Sequence, residues 1–245
     1  MTAAIESEFV VLPDAEALAE QVGAWLLGRV LATQGSASVC LSGGSTPRRL
    51  YELLAGPKYR DTFPWKRVHW FWGDERFVPF NDARSNYRMV REALLDRVAI
   101  PVENVHRIPT DAVTLDAAVI AYERTLKAFY GAEDLSPTRP LFEVVLLGLG
   151  EDGHTASLFP GTPVLGESSR WVAAVVGVTP EARITLTYPA LESSREVAFL
   201  VTGSAKREIL ARVRAGATDA PAARVRPLGR LHWFVDRAAL PDGPA

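Results

Sequence analysis

Apolar residues in this chain form two alternating patterns: short continuous runs, and longer stretches in which they recur every three or four positions. Phe9 to Leu12 reads as a first strand. Asp14 to Thr33 reads as a helix whose apolar positions Leu18, Val22, Trp25, Leu26 and Val30 share one face. Ser38 to Leu41 is the next strand and Thr46 to Ala55 the next helix; Val68 to Trp72 is a third strand, followed by a polar loop and a helix from about Asn86 to Val98 with Ser85 as its N-cap. A helix over Leu115 to Tyr130 precedes the strand Phe142 to Leu147. Strands at Trp171 to Val176, Ile184 to Thr187, Val197 to Val201 and Leu231 to Val235, with a helix near Ala205 to Arg214, complete the pattern. This alternation predicts an α/β fold: an open, mainly parallel sheet with helices on both faces.

Composition narrows the picture. With 245 residues, 48% of them hydrophobic, the chain can bury a substantial core, and no linker or composition break divides it, so a single domain over 1–245 is expected. A formal charge of −2 argues against a nucleic-acid surface as a main function. The single cysteine, Cys40, lies in an apolar run and is expected to be a small core residue. No Cys/His ligand cluster is visible, so neither a metal nor a cofactor is expected. Met1 to Val11 carries acids where a signal peptide would have a basic region, and no membrane span is indicated; a cytoplasmic protein is expected.

Chemistry gathers where three strands end. Phe142 to Leu147 is the near-continuous apolar run of a strand covered on both faces, and ligands of such sheets bind beyond the carboxyl ends of their strands. There the chain reads Gly148-Leu-Gly-Glu-Asp-Gly-His154, a glycine-rich turn that carries a carboxylate, Asp152, and an imidazole, His154. The bland alternative is an ordinary loop with a surface histidine. A second segment, Ser42-Gly43-Gly44-Ser45-Thr46-Pro47, joins a strand to a helix; Thr46 as N-cap and Pro47 at the first helical position would aim free amides at the glycine turn, a geometry that suits a phosphate. It is neither a nucleotide-binding P-loop nor Gly-x-Gly-x-x-Gly, which points to a phosphorylated metabolite. The third segment, Gly73-Asp74-Glu75-Arg76, follows the aromatic strand Trp70-Phe71-Trp72. His69, His106 and His232 have no such setting and read as structural.

These segments, with Ser85-Asn-Tyr87 and Gly148 to Gly161 (Gly-Leu-Gly-Glu-Asp-Gly-His-Thr-Ala-Ser-Leu-Phe-Pro-Gly), resemble the signatures of the 6-phosphogluconolactonase family over nearly the whole chain. The resemblance implies a sheet like that of glucosamine-6-phosphate isomerase and hydrolysis of 6-phospho-D-glucono-1,5-lactone to 6-phosphogluconate in the oxidative pentose phosphate pathway. On that reading His154 is the catalytic base, Asp152 orients it or binds sugar hydroxyls, and Arg76 neutralises the phosphate or polarises the substrate. Ser42 to Thr46 and Asp74 bind substrate. Arg183 and Lys206 are assigned to the phosphate by resemblance alone. Two alternatives stand beside this one. An amino-sugar-phosphate isomerase or deaminase shares the cradle, but its loop carries a glutamate where Phe159 stands here. A sugar-phosphate-sensing module would bind without turnover; as a DNA-binding regulator it would need a recognition helix that the chain does not show.

Overall fold

The computed structural model describes residues 7–240; residues 1–6 and 241–245, and with them the two ends of the domain read over 1–245, lie outside the described residues. In chain order the elements are β1 (Ser7–Leu12), α1 (Ala15–Ala32), β2 (Ala37–Leu41), α2 (Ser45–Leu54), β3 (Val68–Trp72), β4 (Asp74–Arg76), α3 (Asn86–Ala93), β5 (Val105–His106) and α4 (Leu115–Tyr130). They continue with β6 (Phe142–Leu147), β7 (Val172–Val175), β8 (Arg183–Leu186), α5 (Tyr188–Glu192), β9 (Ser194–Val201), α6 (Arg207–Arg214), α7 (Pro221–Arg224) and β10 (Arg230–Asp236).

Seven strands form one sheet in the order β1-β10-β9-β6-β2-β3-β5, with every neighbouring pair parallel. β2 is buried at every position and β6 at all but Glu143, so the central strands are covered on both faces, as their unbroken apolar runs require. From β2 the sheet grows outward through β3 and β5; from β6 it grows the other way through β9, β10 and β1. The strand order therefore reverses between β2 and β6, and the crevice beyond their carboxyl ends is the place where open α/β sheets bind ligands.

Two tyrosines fix the strand ends that border this crevice. The Tyr51 hydroxyl, on α2, accepts from the Ser42 amide at 3.0 Å and donates to the Ser42 carbonyl at 2.9 Å. Tyr122, on α4, does the same for Trp72 at 2.9 and 2.8 Å. Each buried phenol thus satisfies one donor and one acceptor where the sheet's own ladder ends.

The structure corrects the sequence reading in four places. Helix α2 starts at Ser45 with Gly44 (φ +107°) as its N-cap; Thr46 is inside the helix, and its hydroxyl pairs with that of Thr202 at 2.6 Å instead of capping. The helix expected to reach Val98 ends at Ala93, because Leu94 (φ −133°) leaves the helical region and buries its side chain before a short 3₁₀ turn at Leu95–Arg97. Asp74–Arg76, expected in a polar loop, is a strand. It pairs antiparallel with β8, which pairs with β7, so the strands predicted at Trp171 to Val176 and Ile184 to Thr187 form a separate three-stranded sheet. The helix near Ala205 to Arg214 begins with a 3₁₀ turn at Ser204–Lys206, and α6 follows. β5, two residues long, carries too little periodicity to be read from sequence.

Candidate active site

Beyond the carboxyl ends of β2 and β6 opens a cleft of about 260 Å³. The turn from β2 to α2 contributes Ser42, Gly43, Gly44, Ser45 and Thr46; β4 contributes Asp74 and Arg76. Gly148, Gly150 and His154 come from the loop after β6, Arg183 from β8, and Lys206 from the turn after β9. Of the residues assigned a catalytic or binding role from sequence, only Asp152 is not on its wall; it touches His154.

The His154 loop is built around that contact. Asp152 Oδ1 lies 2.6 Å from His154 Nδ1 and 3.0 Å from the His154 amide. Burial pushes the Asp152 carboxyl up, but the His154 amide and ring outweigh it and hold the group below the ordinary aspartate value. With a carboxylate accepting at Nδ1, that nitrogen carries the proton, and in the neutral ring Nε2 then keeps its lone pair. Gly150 makes the contact possible: a Cβ there would sit 2.1 Å from His154 Nδ1 and 2.6 Å from Asp152 Oδ1. Phe159 packs against the imidazole in a tilted arrangement, with 4.5 Å between ring centroids. Ala156, on the cleft wall, is the one non-glycine residue with positive φ (+48°) among the described residues, a strained turn of the kind that collects at functional sites.

The amides of Ser45 and Thr46 open α2 and have no intrahelical acceptor, so they and the helix dipole make this wall attractive to an anion. Cationic side chains add to it. Arg183, from which Asp74 Oδ2 lies 3.9 Å away, has its pKa lowered first by burial and then by the neighbouring Arg76 charge. Lys206 Nζ lies 3.9 Å from Glu151 Oε1, a distance that leaves the ammonium available to a closer partner. Asp74, buried, accepts from Ser157 Oγ at 2.6 Å.

Sequence reasoning passed over several wall residues. Asn86 read as the first residue of a helix and as part of the Ser85-Asn-Tyr87 signature, with no role assigned, but it lines the cleft. Thr155, also on the wall, has a buried hydroxyl with no hydrogen-bond partner, and Ser157 is tied to Asp74. Both follow His154 closely in the chain, which was the available signal. Thr202, whose hydroxyl pairs with that of Thr46, had none. His69 and His106 lie 3.0 Å apart on neighbouring strands, and His232 sits between Glu8 and Glu196, all outside the cleft wall. Cys40 is fully buried. Among the described residues no helix is long and apolar enough to cross a membrane.

Residues 13–233 match the family model described as glucosamine-6-phosphate isomerases/6-phosphogluconolactonase. A 6-phosphogluconolactonase from a Nostoc species is 41% identical over 236 residues, covering 94% of this chain and 95% of its own. The crystal structure of 6-phosphogluconolactonase from Thermotoga maritima superposes with a TM-score of 0.80 at 31% identity, covering 95% of this chain and all of the other. A monomeric glucosamine-6-phosphate deaminase superposes at 0.79 with 18% identity over 95% of this chain and 98% of its own, a likeness of fold.

Proposed function

The chain belongs to the glucosamine-6-phosphate isomerase/6-phosphogluconolactonase family, and from that premise we propose that it hydrolyses 6-phospho-D-glucono-1,5-lactone to 6-phosphogluconate, with His154 activating the water. The activity rests on lactonase relatives that match nearly end to end. The observation that carries the mechanism is the Asp152–His154 contact at 2.6 Å on the wall of a cleft that also holds an anion-attracting helix start and three cationic side chains, Arg76, Arg183 and Lys206.

A lactone carbonyl is already electrophilic; its hydrolysis needs a positioned water, a base and charge stabilisation for the tetrahedral oxyanion. His154 Nε2 takes a proton from water as the oxygen attacks the carbonyl carbon. The intermediate collapses, the ring C–O bond breaks, and the imidazolium returns the proton to the departing ring oxygen. Asp152 holds the ring in the tautomer this requires. Arg76 is placed to stabilise developing negative charge, and Lys206, Arg183 and the amides of the β2–α2 turn take the phosphate. We read residues 1–245 as one domain, supported by the contiguous core of the described part, and the protein as cytoplasmic, supported by its single, buried cysteine.

The deaminase alternative needs a carboxylate after the histidine. Phe159 instead lays an apolar ring on His154, which removes that acid–base group. The decisive experiment is turnover of the phosphorylated lactone by the purified protein near neutral pH, with an enzyme-free blank subtracted and a chelator present. Accelerated hydrolysis is expected. Binding without turnover would favour a sensing module, and release of ammonia from glucosamine 6-phosphate would favour the deaminase.

A further inference from the structure

Asn86 is 3% exposed and lies on the wall of the cleft. Its amide orientation is dictated by its neighbours. Nδ2 donates to the Asp74 carbonyl at 3.0 Å and to Asp74 Oδ1 at 3.3 Å, and a flipped amide would set oxygen against both of those oxygens. The Asn86 backbone is held as well, its amide donating to Glu75 Oε1 at 2.8 Å. Oδ1 is therefore aimed away from Asp74, toward Gly43, where a Cβ would come within 2.0 Å of it. No donor among the described residues reaches this oxygen. Asp74 is fixed in turn, because its Oδ2 accepts from Ser157.

We infer that Asn86 is a specificity-determining residue whose side-chain carbonyl accepts a hydrogen bond from one ring hydroxyl of the substrate. The inference rests on the lactonase reading above. It follows from matching donors to acceptors. Asn86 offers a rigid, unpaired acceptor. An ionised phosphate, a lactone carbonyl and a lactone ring oxygen are acceptors as well, so none of them can satisfy it. Only the hydroxyls of a phosphorylated sugar lactone can donate. Because both the amide and its support are buried, the acceptor is preorganised, and a ligand that lacks the matching hydroxyl leaves it unsatisfied.

The test is a cross-comparison of kcat/KM for the wild type and Asn86→Ala on the phosphorylated lactone and on analogues of it that each lack one ring hydroxyl, all corrected for spontaneous hydrolysis. In the wild type one analogue is expected to lose about tenfold relative to the parent lactone, the worth of one good hydrogen bond. Asn86→Ala is expected to lose about tenfold on the parent and nothing further on that analogue. If the variant loses the same factor on the parent and on every analogue, Asn86 only supports the fold and the inference is overturned. Circular dichroism checks that the variant is folded. If it is not, Asn86→Ser decides by the same comparison, and a wild type that treats all analogues like the parent overturns the inference without any variant. A wild type with no turnover of the parent lactone refutes the proposed function, and this inference with it; turnover without coupling between residue and hydroxyl refutes the inference alone.

Discussion

At the scale of single residues, His154 and the cations are separable. Replacing His154 by asparagine keeps a hydrogen-bonding side chain against Asp152 but removes the nitrogen that takes the proton. Background-corrected kcat is expected to fall by roughly 10²–10⁴-fold with KM little changed. A variant that retains nearly full turnover would shift the role of base to Asp152 or to Asp74, the carboxylate on the wall. Lys206 and Arg183 hold a group that does not change during the reaction, so each binds the ground and transition states about equally. Alanine at either position is expected to raise KM with kcat nearly unchanged, a loss of about 1.5–3 kcal/mol for one charge-assisted contact. Steady-state kinetics on the phosphorylated and unphosphorylated lactones separates the outcomes: the effect should be confined to the phosphorylated one.

At the scale of elements, a buried carboxylate locks β4 to the start of α3. Glu75, 1% exposed, accepts from the amides of Arg76, Asn86 and Tyr87 at 2.7, 2.8 and 2.7 Å and from Ser85 Oγ at 2.9 Å. Burial raises its pKa against the pull of these bonds. Because the clamp aligns Asp74, Arg76 and Asn86 on one wall, Glu75→Ala should act on stability and catalysis together. The unsatisfied donors it leaves should cost about 3 kcal/mol or more in denaturant unfolding, and kcat/KM should fall as well. Glu75→Gln retains an acceptor oxygen and should lose less on both counts. An unfolding midpoint unchanged in the alanine variant would show that α3 is held by its apolar face instead. Nothing in the sequence distinguished Glu75 from its neighbours, since its importance comes from folding back onto the α3 amides of Asn86 and Tyr87.

At the scale of the whole molecule, the edge of the main sheet carries an acid-sensitive pair. His69 on β3 and His106 on β5 lie 3.0 Å apart. Burial, and then the neighbouring His69, push His106 down to about 4 from 6.5, and burial lowers His69 as well. The unfolded chain therefore binds more protons than the native one between those values. Stability from the pair is fully present above about pH 6.5, declines as the pH falls, and is lost once it passes through about 4. His106→Phe, which keeps the stacking on Phe71 and the tilted ring contact with Phe129, is expected to flatten the fall in melting temperature between pH 6.5 and 4. A slope equal to that of the wild type would place the acid sensitivity elsewhere.

The division between sequence and tertiary structure follows the range of the forces involved. Local periodicity determined five of the seven parallel strands and α1 and α4 to within a residue or two, and β9 to within three, because an unbroken apolar run or a repeating apolar face has few other ways to be buried; β5, two residues long, escaped it. Glycines and charged residues at strand ends marked the three segments that meet at the cleft, because backbone exposed there must bind something or be capped. Pairing decided the rest. That Asp74–Arg76 is a strand depends on β8, more than a hundred residues later in the chain. That Asn86 presents an acceptor depends on Asp74 and on the absence of a side chain at Gly43. That the β2 and β6 loops face one crevice depends on the reversal of strand order between them. A sequence window carries the pattern that buries a residue, but the partner that orients its polar atoms comes from elsewhere in the chain and is fixed only when the sheet assembles.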